Sequence, residues 1–264
     1  ISEITGYLPA TEVNVDYNTT HTPRRLLGRD LSSSPAAEQL ASSAPLTANI
    51  SFSCVLEKDF EEAFVFYDDY FAANAFPIKI GDNIFQKCYV DEISISVAPY
   101  VPVTLNARFS SLEPATGQSI SGDATPRNNT TIPITPDDLI CGHTCSVENM
   151  GNVVGDVQSQ INFKKSYKRS PVYTLGSVAA TSMLLEGIDK EMSITSTGLN
   201  DLITFSGNML SSSVKVNLTS QAGLGIDYFE DIAMDVGARI SVESYGVAGG
   251  ETVETRATIT QGIL

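Results

Sequence analysis

The sequence predicts a mainly β protein made of two tandem β-sandwich or half-barrel domains, with one flanking α-helix in the first. Three observations predict it. Several runs alternate apolar and polar residues with period two, one aromatic run repeats at helical spacing, and the halves of the 264-residue chain share short matches in the same order.

The alternation comes first. Ile93, Ile95 and Val97 alternate with Ser94 and Ser96, and Val101, Val103, Leu105, Ala107 and Phe109 alternate with more polar neighbours. Such a pattern buries one face of a pleated strand and wets the other. In the second half Ile240 and Val242, then Val253, Ala257 and Ile259, follow the same rule. The β-branched runs are bounded by Gly, Pro, Asn and Asp, the residues that end strands in turns.

The one helical pattern spans Asp59 to Ala73, where Phe60, Phe64, Tyr67 and Phe71 share a face. Asp59 and Glu62 form a capping box, and Asn74 and Pro77 stop the helix. An aromatic stripe of this kind is core, laid on a sheet. The second half has no equally clear helix; residues 208–226 alternate as a strand with a loop.

The repeat is read from Val13–Gly28 and Ile161–Gly176, which match without a gap at an offset of 148 through Asn14/Asn162, Pro23/Pro171, Leu27/Leu175 and Gly28/Gly176. Ile95-Ser96-Val97 resembles Ile240-Ser241-Val242 at an offset of 145, and Val103–Phe109 aligns with Val253–Ile259 at 150. Between the copies, Glu113 to Asp138 is rich in Pro, Gly, Thr, Asn and Ser, a linker composition. The expected organisation is therefore a first copy over 1–112, a linker or long loop over 113–138, and a second copy over 139–264. Arg29–Thr47 reads as a further long loop.

Composition narrows the function. The net charge of −15 disfavours a protein that grips nucleic acid or anionic lipid. No run of about 18 apolar residues suggests a membrane span, and Ile1–Ala10 lacks the basic-then-apolar pattern of a signal peptide. The Asn-x-Ser/Thr triplets are expected by chance in so Ser- and Thr-rich a chain. Cys54 and Cys88 read as buried thiols in strands. Cys141 and Cys145, in CGHTC around His143, leave three readings open: free thiols in a loop, a local disulfide, or a metal site, whose usual pairing is C-x2-C with a second ligand pair. No phosphate-binding loop, dinucleotide fingerprint or nucleophile elbow occurs, and the acid pairs Glu61-Glu62 and Asp68-Asp69 point to different sides of a helix. No catalytic, cofactor-binding or metal-binding residue is assigned, and the chain reads as non-enzymatic.

The segment Ile78–Phe109, IKIGDNIFQKCYVDEISISVAPYVPVTLNARF, resembles the closing part of the tail tube domain of long-tailed bacteriophages. The preceding helix, the turn at Arg24–Gly28 and RSPVYTLG at Arg169–Gly176 fit the same pattern. The resemblance implies a β-sandwich or half-barrel whose copies join side by side into rings, three chains with a duplicated domain replacing six. The rings stack into a conduit in the virion tail through which DNA passes without specific binding. It also implies assembly in the host cytoplasm, contacts with tape-measure, terminator and baseplate or tail-tip proteins, no membrane partner and no cofactor. Another tail component of the same fold (hub, terminator or distal tail protein), or a sandwich adhesin or carbohydrate-binding module, is the alternative.

Overall fold

The structure, a computed structural model, describes residues 10–18, 21–23, 40–42, 47–57, 73–80, 83–112, 136–148, 158–175, 180–197, 209–210, 213–219, 232–248 and 252–263. The described residues are dominated by strands. A nine-stranded sheet contains β1 (Ala10–Asn18), β4 (Thr47–Val55), β5 (Phe76–Ile80), β6 (Asn83–Val97), β7 (Thr104–Ser111), β9 (Gln158–Val172), β10 (Ser182–Thr197), β13 (Arg239–Ala248) and β14 (Thr252–Ile263). A three-stranded sheet holds β8 (Ser146–Glu148), β11 (Val214–Asn217) and β12 (Ala233–Met234), and β2 (His21–Pro23) pairs with β3 (Leu40–Ser42). The helix expected over Asp59–Ala73 lies, but for Ala73, outside the described residues. So do the turn at Arg24–Gly28 and residues 113–135 of the expected linker.

Strand alternation builds the core. Along β7 every second residue from Leu105 to Ser111 is buried, and in β4 Ala48, Ile50, Phe52 and Cys54 point the same way. Phe109 stacks on Phe52 at 5.4 Å and meets Phe76 edge-on at 5.7 Å. In the second half Ile161, Phe163, Met192, Ile194, Ala257 and Ile259 continue the same apolar layer. Leu210, Val214, Val216, Leu218, Ile232 and Met234, in and around the small sheet, join that layer. The large sheet thus turns one apolar face to this core and one polar face away from it.

The strand order of the large sheet is β1-β4-β7-β6-β9-β10-β14-β13, with β5 hung on β6. Read by halves, it is first, second, fourth, third, stated twice. The registers repeat as well. Val15 faces Ile50 and Ile50 faces Phe109; likewise Phe163 faces Met192 and Met192 faces Ile259. Val13–Phe52–Ala107 corresponds in the same way to Ile161–Ile194–Ala257. The offsets of 148 for β1/β9 and 150 for β7/β14 hold residue by residue.

The third strand of each half departs from the sequence alignment. Val90 faces Phe109 as Ile240 faces Ile259, an offset of 150 and not 145. Against its fourth-strand neighbour each carries one bulge, between Val90 and Glu92 in β6 and between Val242 and Ser244 in β13. An inserted residue flips the alternation beyond it. Short apolar-Ser-apolar triplets on either side of the bulges therefore look alike without being equivalent.

Residues 139–141, which the sequence reading places in the second copy, run beside the first. Ile140 N–H donates to the Leu56 carbonyl at 3.1 Å, and Val103 N–H donates to the Ile140 carbonyl at 2.8 Å. Ile140 is wholly buried there.

Candidate assembly interface

The halves meet at a strand seam. β6 pairs antiparallel with β9 from Glu92 opposite Ser166 to Val97 opposite Ile161. On its interior side Ile95 faces Phe163, both buried. On its polar side Lys164 Nζ lies 2.8 Å from Glu92 Oε2. In the repeated order, this seam joins the third strand of one unit to the first strand of the next.

Beyond the paired stretch, Arg169 of β9 reaches across to β6. Its Nε donates to the Val90 carbonyl at 3.0 Å, and its guanidinium lies 5.3 Å from the Tyr89 ring and 5.5 Å from the Tyr167 ring. Burial lowers the Arg169 pKa from its ordinary value, and Asp91 opposes that shift. Asp91, the bulge residue, has its carboxyl pKa raised by burial, while the hydrogen bond from Ser110 and the charge of Arg169 pull it down. The opposite charges of Asp91 and Arg169 thus partly offset the burial of each other.

The same two strand types end the sheet. β1 pairs with β4 and β13 with β14, and among the described residues neither has a strand partner on its outer side apart from the single bridge from Arg239 to Met209. Val13, equivalent to buried Ile161, is 41% exposed on the outer strand. A row of unpaired backbone N–H and C=O groups is a template for another strand.

The polar face crosses both halves. It is rich in uncharged residues such as Asn14, Ser51, Ser94, Asn106, Asn162 and Ser193, and is hollowed by a depression of about 140 Å³ across β1, β4, β7 and β6. Its regular strand positions carry Glu12, Asp16, Glu92, Asp189 and Glu191 against Arg108, Lys164, Lys168, Arg239 and Arg256. Counting Glu254, which the same registers place on this face, acidic and basic positions are near equal in number, and Lys168 also pairs with Asp189 at 2.5 Å. The net charge of the chain leads one to expect an acidic face here; the described positions do not supply it.

CGHTC forms a backbone clasp. Residues Gly142–Thr144 make one 3-10 turn, Gly142 N–H donates to the Val101 carbonyl at 3.0 Å, and Cys141 bridges Pro102. A Cβ on Gly142 would sit 1.9 Å from the Ala98 carbonyl oxygen. His143 stacks on exposed Tyr100 at 5.6 Å, and Tyr100 holds a left-handed φ of 58°. All four cysteines are free, so the local disulfide between Cys141 and Cys145 is not formed. Burial pushes the thiols of Cys54 and Cys88 up to about 12 and that of Cys145 to about 11. Among the described residues no group of three or more His, Cys, Asp or Glu is placed to hold a metal ion.

Sequence reasoning singled out β1 and β9 as related strands but missed Arg169 and Asp91 as seam residues. Each lies among other charged residues of its strand, Lys164, Lys165 and Lys168 in β9 and Lys87 and Glu92 in β6, so nothing in the sequence set it apart. No protein-family model matches the chain, and no curated protein sequence matches it.

Proposed function

We propose that the protein is a structural subunit of a bacteriophage tail tube, assembling as rings of three chains that stack into a conduit for DNA. The observation that carries this reading is the repeated strand order, joined third-strand-to-first within the chain and left open with a first strand at one end and a third strand at the other. A unit that already pairs its own copies in this way presents, at its two ends, the halves of one more such seam. Repetition of a heterologous contact closes into a ring when the rotation permits.

Strand number favours three chains. Each supplies eight strands to the continuous path. A barrel of eight is filled by its own side chains. At roughly 4.8 Å between strands, twenty-four strands enclose a circle about 37 Å across before tilt widens it, which leaves room for a duplex. The hollowed polar face then lines the lumen and the small sheet lies outside. Its mixed charges, with Lys164 and Lys168 held in ion pairs, offer DNA few free cations, so few counterions are released and little sticking results.

Electron microscopy of concentrated protein, with mass measured per ring, tests the reading. Three chains of 28.3 kDa per ring are expected. Six chains per ring, or no rings at any concentration, would overturn it.

A further inference from the structure

We infer that the outer edge of β13 receives β1 of a second copy in the register of the internal β6–β9 seam, with Tyr245 opposite Val15. The inference rests on the ring reading above and adds to it the residue pairs at the contact.

The register follows from two correspondences already measured inside the chain. β1 maps onto β9 at an offset of 148, fixed by the shared partners of Val13/Ile161 and Val15/Phe163. Beyond its bulge β13 maps onto β6 at an offset of 150, since Ser94 faces Asn106 where Ser244 faces Arg256, and Ile95 faces Leu105 where Tyr245 faces Thr255. The internal seam pairs Ser94 with Lys164, Ile95 with Phe163, Ser96 with Asn162 and Val97 with Ile161. Transferred to the ends, these become Ser244 with Asp16, Tyr245 with Val15, Gly246 with Asn14 and Val247 with Val13.

Face and exposure agree with the transfer. Val13 and Val15 continue the interior face of β1, opposite Phe52 and Ile50. Tyr245 and Val247 occupy alternate positions of β13, so the register sets apolar against apolar. A slip of one residue would set both valines against Ser244, Gly246 or Ala248 and turn the pleats out of phase. A strand added to β1 would cover Val13, which is exposed on the free edge. The bridge from Met209 to Arg239 occupies the start of β13 and leaves this stretch clear among the described residues.

Paired cysteines test the register. Adjacent pairs in an antiparallel ladder alternate between wide and narrow spacing, so both Val15→Cys/Tyr245→Cys and Asn14→Cys/Gly246→Cys are made, one of each kind. Val13→Cys/Tyr245→Cys, slipped by two residues, is the control. The native thiols of Cys54, Cys88 and Cys145, with pKa values raised to about 12, 12 and 11, are poor competitors for mild oxidation. At ring-forming concentration at least one in-register pair should yield covalent trimers on a non-reducing gel, and the slipped pair at least tenfold less. Rings by microscopy with cross-links confined to the slipped pair, or with none in either in-register variant, overturn the register and leave the ring standing. In-register cross-links in open chains without rings overturn the ring and leave the register. Native thermal melting of each variant identifies any that fails to fold, and the remaining in-register pair decides.

Discussion

Gly142 and Arg169 show how single residues fix this architecture. Gly142 is packed backbone to backbone against Ala98, so no rotamer change relieves an added methyl. Gly142→Ala should destabilise the fold by ~3 kcal/mol or more, measured by denaturant unfolding, because the strap on the first half must lift. Arg169 lies between two tyrosine rings with one hydrogen bond to Val90. Arg169→Lys keeps the charge and loses the planar contacts, which should cost about 1–2 kcal/mol in the same assay. Asp91 makes a prediction in pH. Burial raises its folded-state pKa above the ordinary 3.8, so the folded protein holds that proton more tightly than the unfolded chain. Its contribution to stability is fully present below 3.8 and is lost as pH rises through the folded value. Stability of Asp91→Asn relative to the parent should therefore rise from acid toward neutral pH, read from paired melting temperatures. A flat or falling difference would mean the carboxylate is as well solvated folded as unfolded. At CGHTC the structure has the free thiols that were one of the three open readings, and the feature the sequence did not single out is its glycine, packed against Ala98.

At the scale of elements, edge strands decide what the protein can join. Val13→Asp places a carboxylate on an edge position that is already 41% exposed, so folding should change by less than about 0.5 kcal/mol. Ring formation should be lost, because an uncompensated charge would enter a paired apolar position. Val13→Lys with Val247→Glu should restore assembly, since opposite charges facing across an antiparallel pair attract. Sedimentation velocity at matched concentrations reads both. The strands themselves were largely legible: period-two burial at 93–97 and 103–109, and the matched offsets of 148 and 150, all correspond to real ladders. The equivalence of Ile95 with Ile240 was not, because a bulge moves the phase of a strand without leaving any mark in composition. Of the small sheet only β11 was legible, within the alternation at 208–226; β8 and β12, three and two residues long, were not.

For the whole molecule, the central question is where a net charge of −15 is carried. The regular positions of the hollowed face carry acids and bases in near-equal number, so most of the surplus lies elsewhere in the sequence. In the proposed tube this keeps free subunits apart by mutual repulsion while the lumen stays near neutral. Assembled tubes should accordingly show no measurable retention of duplex DNA at moderate salt, and lowering the salt should raise it only slightly, as measured by filter retention. A log-log salt slope steeper than about −3 would indicate several unpaired lysines or arginines facing the DNA and would contradict the balanced face.

The tandem construction gives the proposed ring two sorts of joint. Within a chain, β6 and β9 are tethered and meet at an effective concentration set by the intervening segment, with an ion pair between Lys164 and Glu92 to fasten them. Between chains, β13 and β1 meet only as often as free subunits collide, and the positions equivalent to that ion pair hold no cation. Weak and strong joints therefore alternate around the circumference. Under dilution or mechanical load such a ring should part at every second joint, shedding whole chains and never half-units, so that wear on the tube is reversible by simple re-addition of subunits.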